Sequence, residues 1–226
     1  MTGRRELRVV QLAQMQQLSP QVSTAQLSDA LDSLGFRDQV LAGRFVPLTR
    51  EARAVGRAAT LRFEIVDHDV EEPYDAAIAF IDALEPGSLV LIATGGSERS
   101  AYWGELFSCA AIGRGATGVV CDSYLRDSPK VAELGFPAFA RGARPIDYRA
   151  RMEITSVNRP VSCAGVRVAP GELILADADG VVVVPEAIEA EAIRRANERA
   201  QRETNVLDEL RAGATLRSVW DRYRVL

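Results

Sequence analysis

Residues 95–127 read GGSERSAYWGELFSCAAIGRGATGVVCDSYLRD. The segment parses as a loop, a helix from Gly104 to Gly113, a buried strand from Thr117 to Cys121 and a second loop. Just upstream, SLVLIAT at 88–94 is another short apolar run, set off by the turn residues Glu85, Pro86 and Gly87. Strand, helix, strand in that order predicts a βαβ unit and an α/β fold. Two features carry chemistry. A glycine-led helix start presents backbone N–H groups and the positive end of the helix dipole, which suit an acid or a phosphate. Arg126 and Asp127 follow the second strand, and ligands in α/β folds gather past the carboxyl ends of strands. A guanidinium fork fits a carboxylate, and an aspartate beside it fits a hard cation such as Mg²⁺ or Mn²⁺. Plainer readings stand beside these. Gly104 can serve only to admit a tight loop-to-helix entry. Arg126 and Asp127 can form a surface ion pair, or Asp127 can cap the turn that follows.

Outward from this unit the pattern is mixed. Ser23 with Gln26 three residues later forms a capping-box signature for a helix whose Leu27, Ala30, Leu31 and Leu34 share a face, with Gly35 as its stop. Residues 53–66 read as a strand with Gly56 as a possible bulge, and Pro73 opens a helix carrying Ala76, Ala77, Phe80, Ile81 and Leu84. Residues 129–134 give one or two helical turns and 137–140 a short strand. From Met152 strand-like runs follow closely (EITSVN, VSCAGVRV, ELILADADGVVVVP), with turn signals at Pro170-Gly171 and Asp179-Gly180. A long helix runs over about 185–211, Gly213 breaks it, and a short amphipathic segment closes the chain. Its apolar stripe, Ile188, Ala192, Ile193, Ala196 and Ala200, is narrow. With no linker or repeat, one domain spanning 1–226 with a C-terminal helical segment over about 185–226 is the economical reading.

The chain has 226 residues, of which 47% are hydrophobic, enough for a large core. A net charge of −4 argues against a nucleic-acid partner. The opening residues lack an apolar signal-peptide core and no run reaches membrane-spanning length, so a cytoplasmic protein without membrane association is expected. Lys130 is the only lysine, so Schiff-base chemistry has one residue to use. The lone histidine, His68, makes a Ser-His triad improbable. Cys109, Cys121 and Cys163 have no metal-site spacing and lie in apolar runs, which predicts three buried small residues. Asp177 and Asp179 read as a structural turn rather than a calcium loop. Asp67, His68, Asp69, Glu71 and Glu72 read as a solvated acidic loop rather than a metal cluster.

The motifs LSDALDSLG (27–35), YDAAIAFIDALEPGSLVLIATGG (74–96), WGELFSCAAIGRGATGVVCDSYLRD (103–127), PGELILADADGVVVVP (170–185) and SVWDRYRVL (218–226) together resemble the RraA-like family. That family includes class II aldolases acting on 4-hydroxy-4-methyl-2-oxoglutarate and related acids, and a regulator of ribonuclease E. The resemblance implies a swivelling β/β/α fold with stacked sheets flanked by helices, assembled as a homotrimer or homohexamer with the site at a subunit interface. It implies that Arg126 binds the substrate carboxylate and Asp127 holds Mg²⁺ or Mn²⁺. It also implies that Gly104, Glu105, Leu106 and Phe107 receive the pyruvyl group, that Glu105 lies near the metal, and that Glu203 comes from a neighbouring subunit. The expected reaction is cleavage of a 4-hydroxy-2-oxo acid to pyruvate and a second oxo acid, with oxaloacetate decarboxylation as a further activity. The base is expected to be a metal-associated water polarised by Glu105. A non-catalytic regulator that binds a ribonuclease or helicase is the alternative. The chain departs from the family pattern at Lys130, usually acidic, at Ser123, usually glycine, and at Arg224, where Tyr-Gly is usual.

Overall fold

The computed structural model describes residues 15, 17–48 and 52–225. In chain order the helices are α1 (Thr24–Ser33), α2 (Asp75–Asp82), α3 (Glu105–Gly113), α4 (Ser128–Glu133), α5 (Glu189–Arg211) and α6 (Leu216–Tyr223). The strands are β1 (Val46–Pro47), β2 (Ala54–Ile65), β3 (Ser88–Ala93), β4 (Gly118–Cys121), β5 (Tyr124–Leu125), β6 (Ala138–Ala140), β7 (Gly142–Ala143), β8 (Met152–Val157), β9 (Val161–Cys163), β10 (Val166–Val168), β11 (Leu173–Ala176) and β12 (Val181–Val184). They form two compact units, one built from the two ends of the chain, up to residue 37 and from 187 onward, the other from residues 38–186.

The larger unit is an α/β fold around an eight-stranded mixed sheet. The order is β1-β6-β4-β3-β2-β11-β12, with β8 also paired to β2. Strands β2, β3, β4 and β6 run parallel. The long β2 serves two partners along one edge. Its first residues pair antiparallel with β11, its last with β8. Alternate residues of β3 enter opposite cores: Val90 and Ile92 pack with Leu61, Phe80 and Trp103, whereas Leu89 and Leu91 pack with Phe45, Val120 and Ile174. Both faces are therefore covered, which explains why the central strands are unbroken apolar runs rather than alternating ones.

Several local readings need correction. The irregularity in β2 lies between Arg62 and Phe63, whereas Gly56 pairs in regular register with Ile174. Gly56 is needed for close packing, since a Cβ there would lie 2.4 Å from Thr117 Oγ1 and 2.7 Å from Leu89 Cβ. The run VSCAGVRV is a hairpin of β9 and β10. Ala164 and Gly165 turn it, both at positive φ (45° and 87°), the backbone a tight two-residue turn demands. Asp177 and Asp179 shape the β11–β12 turn, with the Asp179 N–H donating to Asp177 Oδ1 at 3.0 Å. Cys121 and Cys163 are buried, and burial pushes both thiols well above their usual pKa, but Cys109 is exposed on α3.

In the smaller unit, the Ser23 hydroxyl accepts from the Gln26 N–H (3.3 Å) and the Gln26 side chain accepts from the Ser23 N–H (2.9 Å), completing the capping box of α1. Leu27, Ala30 and Leu31 of α1 are buried, as are Ala192, Ile193, Ala196 and Ala200 on the stripe of α5. No helix among the described residues is long and apolar enough to cross a membrane.

Candidate active site

Past the carboxyl ends of β3, β4 and β6, three loops meet around a cavity of about 490 Å³. The loop after β3 is laid along β5. The Tyr102 N–H donates to the Tyr124 carbonyl (3.0 Å), and the Arg126 N–H donates to the Trp103 carbonyl (2.8 Å). The third loop joins through the Ala101 N–H, which donates to the Ile146 carbonyl at 2.7 Å. These bonds fix the entry to α3 directly against Arg126 and Asp127. Trp103 locks the same entry: its indole N–H donates to Ser108 Oγ (2.8 Å), which donates to the Gly104 carbonyl (2.9 Å).

Gly104 is the N-cap of α3, in extended backbone that any residue could adopt. Its reason is space. A Cβ there would lie 2.6 Å from Asp127 Oδ2 and 3.0 Å from Arg126 Cγ. With no side chain on the cap, the first-turn amides of α3 face the cavity without an intrahelical acceptor. The Glu105 N–H donates to Asp127 Oδ2 at 3.4 Å.

Asp127 sits at the N-cap of α4 in the left-handed region (φ 54°), yet its side chain makes no cap hydrogen bond. An aspartate at that position ordinarily caps its own helix. Here the carboxylate turns away, toward Gly104 and Glu105. Arg126 is gripped from two sides: Nε lies 3.6 Å from Asp127 Oδ2, and Nη1 pairs with Asp147 Oδ2.

Asp147 and Tyr148 fall in no sequence motif, and Tyr74 opens the 74–96 motif with no chemistry assigned to it; all three line the cavity. Partial burial works to raise the Asp147 pKa, but the Arg149 N–H at 2.9 Å, the Tyr74 hydroxyl and Arg126 outweigh it and hold the carboxyl below its ordinary value. Burial and the bond to Asp147 raise the Tyr74 pKa. Tyr148 packs edge-on against Phe63 and Tyr74.

Gly104, Glu105, Leu106 and Phe107 also line the cavity. Glu105 Oε2 is taken by the Lys130 amine at 2.9 Å. Glu203 lies in the smaller unit, where Arg199 (2.9 Å) and the Gln26 side chain engage its carboxylate. Among the described residues no group of three or more His, Cys, Asp or Glu side chains is placed to hold a metal ion. Mg²⁺ is commonly held by one or two carboxylates with water and substrate oxygens completing the shell. Asp127, which does not cap its own helix, and Glu105, whose Oε2 is held by Lys130, are the residues that could supply such carboxylates.

Fold and cavity together place Arg126, Asp127 and the start of α3 past the carboxyl ends of parallel strands. A family model described as RraA-like, Aldolase/RraA, matches residues 24–183. The chain belongs to the RraA-like family. It is 32% identical over 180 residues to a candidate 4-hydroxy-4-methyl-2-oxoglutarate aldolase of Halalkalibacterium halodurans, covering 79% of this chain and 80% of that one. It is 33% identical over 139 residues to the 4-hydroxy-4-methyl-2-oxoglutarate aldolase of Thermus thermophilus, covering 60% of this chain and 77% of that protein. Among solved structures it is similar to Streptomyces coelicolor RraAS2, described as an unusual member of the RNase ES inhibitor RraA family. That match has a TM-score of 0.75 and 29% identity, over 85% of this chain and 94% of that one.

Proposed function

We propose that this protein is a divalent-metal-dependent aldolase that cleaves a 4-hydroxy-2-oxo acid to pyruvate and a second carbonyl compound. The observation that carries the reading is the packing of Arg126 and Asp127 against the bare N-terminus of α3, a spacing that only glycine at position 104 permits. The named aldolase relatives support it.

In this reading Arg126 and the first-turn amides of Glu105, Leu106 and Phe107 clamp the pyruvyl carboxylate and 2-oxo group. Asp127, with Glu105 nearby, would hold Mg²⁺ or Mn²⁺, which would supply Lewis-acid stabilisation of the negative charge that develops there. The C3–C4 bond breaks and its electron pair passes toward the 2-oxo oxygen, leaving pyruvate enolate. The 4-hydroxyl loses its proton and becomes the carbonyl of the second product. Glu105, oriented by Lys130, polarises the water that accepts that proton, and a proton delivered to C3 completes pyruvate. Arg126 counters the enolate charge in a preorganised position. The same enolate would form by loss of CO₂ from oxaloacetate. Glu203 would act at the site of a neighbouring subunit in a homotrimer or homohexamer, and the reaction would take place in the cytoplasm.

The test is pyruvate release, coupled to lactate dehydrogenase, from a panel of 4-hydroxy-2-oxo acids and oxaloacetate. Turnover should require Mg²⁺ or Mn²⁺ and stop in EDTA. Undiminished turnover in EDTA would remove the metal from the reading. The similarity to RraAS2 favours a second reading, a non-catalytic regulator that binds a ribonuclease or helicase. No pyruvate from any substrate, with inhibition of a ribonuclease by the pure protein, would favour it.

Covalent catalysis is a separate question with its own prediction. A Schiff-base lysine needs a lowered pKa. Lys130 is exposed, and its hydrogen bond to Glu105 raises its pKa instead. Lys130→Ala is therefore expected to keep turnover within ~10-fold of the parent, and borohydride with pyruvate should leave the protein mass unchanged. A pyruvyl-sized adduct on Lys130 would overturn the metal-enolate route.

A further inference from the structure

This step rests on the aldolase reading, in which Arg126 clamps the pyruvyl carboxylate, and concerns what holds that clamp. We propose that Asp147 is a positioning residue for the reaction: it fixes the guanidinium of Arg126 in the orientation that receives the substrate carboxylate and faces the developing enolate.

An arginine side chain is long and flexible, and Arg126 lies in the loop between β5 and α4. Left to itself it would sample several rotamers, and that freedom would be lost each time a substrate bound. Asp147 removes it beforehand. Its Oδ2 pairs with Nη1 at the far end of the side chain, while Asp127 Oδ2 lies 3.6 Å from Nε. The guanidinium carries more N–H donors than these two carboxylates use, so donors remain for a ligand carboxylate.

A group that positions another must itself be fixed, and Asp147 is. Its Oδ1 accepts from the Arg149 N–H at 2.9 Å, and the Tyr74 hydroxyl donates to the same carboxylate. The backbone is pinned as well. Asp147 forms a parallel bridge with Ala101, whose N–H donates to the Ile146 carbonyl at 2.7 Å. On the other side Tyr148 is 3% exposed and packs edge-on against Phe63, with ring centres 5.1 Å apart. The Tyr148 carbonyl accepts from the N–H groups of Arg151 (3.0 Å) and Met152 (2.9 Å), which closes the turn. The segment that carries Asp147 is therefore bonded to the loop that leads into α3. The α3 amides and the acid that aims Arg126 are set in one frame, by contacts within one chain.

A bystander charge and a positioning role predict opposite results. Neutralising a bystander anion beside Arg126 leaves the guanidinium more attractive to an acid, so binding should tighten. Releasing a held guanidinium should weaken both binding and turnover. Asp147→Asn separates the two, because asparagine keeps the shape and its carbonyl can still accept the Arg149 N–H.

The test places Asp147→Asn in the parent chain and in an Arg126→Ala background, both full length and with Mn²⁺. Pyruvate release from the best 4-hydroxy-2-oxo acid gives kcat and KM. Calorimetric titration with oxalate, a planar analogue of pyruvate enolate, gives binding without turnover. With Arg126 present, Asp147→Asn should lower kcat/KM by ~10²-fold, with kcat reduced and KM raised, and weaken oxalate binding by ~10-fold at a nearly unchanged melting temperature. In the Arg126→Ala background the same substitution should change each quantity by less than ~2-fold, because Asp147 acts through the missing side chain. Equal losses in both backgrounds, or oxalate binding unchanged or tightened with Arg126 present, would overturn the proposal and leave the aldolase reading standing. Pyruvate from no substrate would instead strike the aldolase reading, and the titrations would still decide on Asp147. Weaker oxalate binding only where Arg126 is present would uphold it as the holder of that side chain. A parent chain that does not bind oxalate would overturn it.

Discussion

Asp127→Asn is expected to lower kcat/KM for the best 4-hydroxy-2-oxo acid by at least ~10³-fold, because stabilisation of an enolate by a metal supplies several kcal/mol of the barrier reduction. Asparagine is the informative replacement. It keeps the shape, and it is one of the few residues that tolerate the left-handed backbone at φ 54°. The Asp127 carbonyl still accepts the Val131 N–H (3.0 Å), so the start of α4 should survive. The lost elements are the negative charge that anchors the cation and the fixed partner of the Arg126 Nε. Because the wild-type side chain does not cap its own helix, the melting temperature should move little. Unchanged turnover by Asp127→Asn would show that this carboxylate is a structural acid and that the metal, if used, is held elsewhere.

The α/β class was legible because the central strands are covered on both faces. SLVLIA and GVVC are unbroken apolar runs for that reason, and Gly113, Gly115 and Pro86 punctuate them. The two-residue strands β5 and β7 were invisible, since so short a run has no periodicity. Yet it is β5 that lays the start of α3 against Arg126. At the site, sequence reasoning found what lies close together in the chain: Gly104 to Phe107, and Arg126 with Asp127. It missed Asp147, Tyr74 and Tyr148. These arrive by topology, from the loop after β7 and the entry to α2; Asp147 and Tyr148 fall in no motif, and Tyr74 begins one whose other residues read only as a helix face. Cys109 and Gly56 were misjudged for a related reason. An apolar neighbourhood in sequence does not say which side of α3 faces out. Likewise a glycine in a strand can reflect a close neighbour such as Thr117 as readily as a bulge.

The second large effect concerns a side chain that is absent. Gly104→Ala adds one methyl group at a position whose extended backbone accepts alanine without strain. The cost is purely steric, because the new carbon would fall 2.6 Å from Asp127 Oδ2 and 3.0 Å from Arg126 Cγ. Neither neighbour yields freely. Arg126 is tied through its backbone to Trp103 and through Nη1 to Asp147, and Asp127 is held by the Glu105 N–H. The relief available is a displacement of the Asp127 carboxylate and the Arg126 side chain from the start of α3, by a distance comparable to the overlap. Displacements of that order in a reacting geometry are expected to lower kcat by ~10²-fold. Overpacking should cost only about 1–3 kcal/mol of stability, leaving a folded protein with a modestly lowered melting temperature. The two readouts separate the explanations. A large loss of kcat in a protein that melts near the wild-type temperature supports the clamp formed by Gly104, Arg126 and Asp127. Full activity in Gly104→Ala would mean that the close approach at the start of α3 plays no part in the reaction.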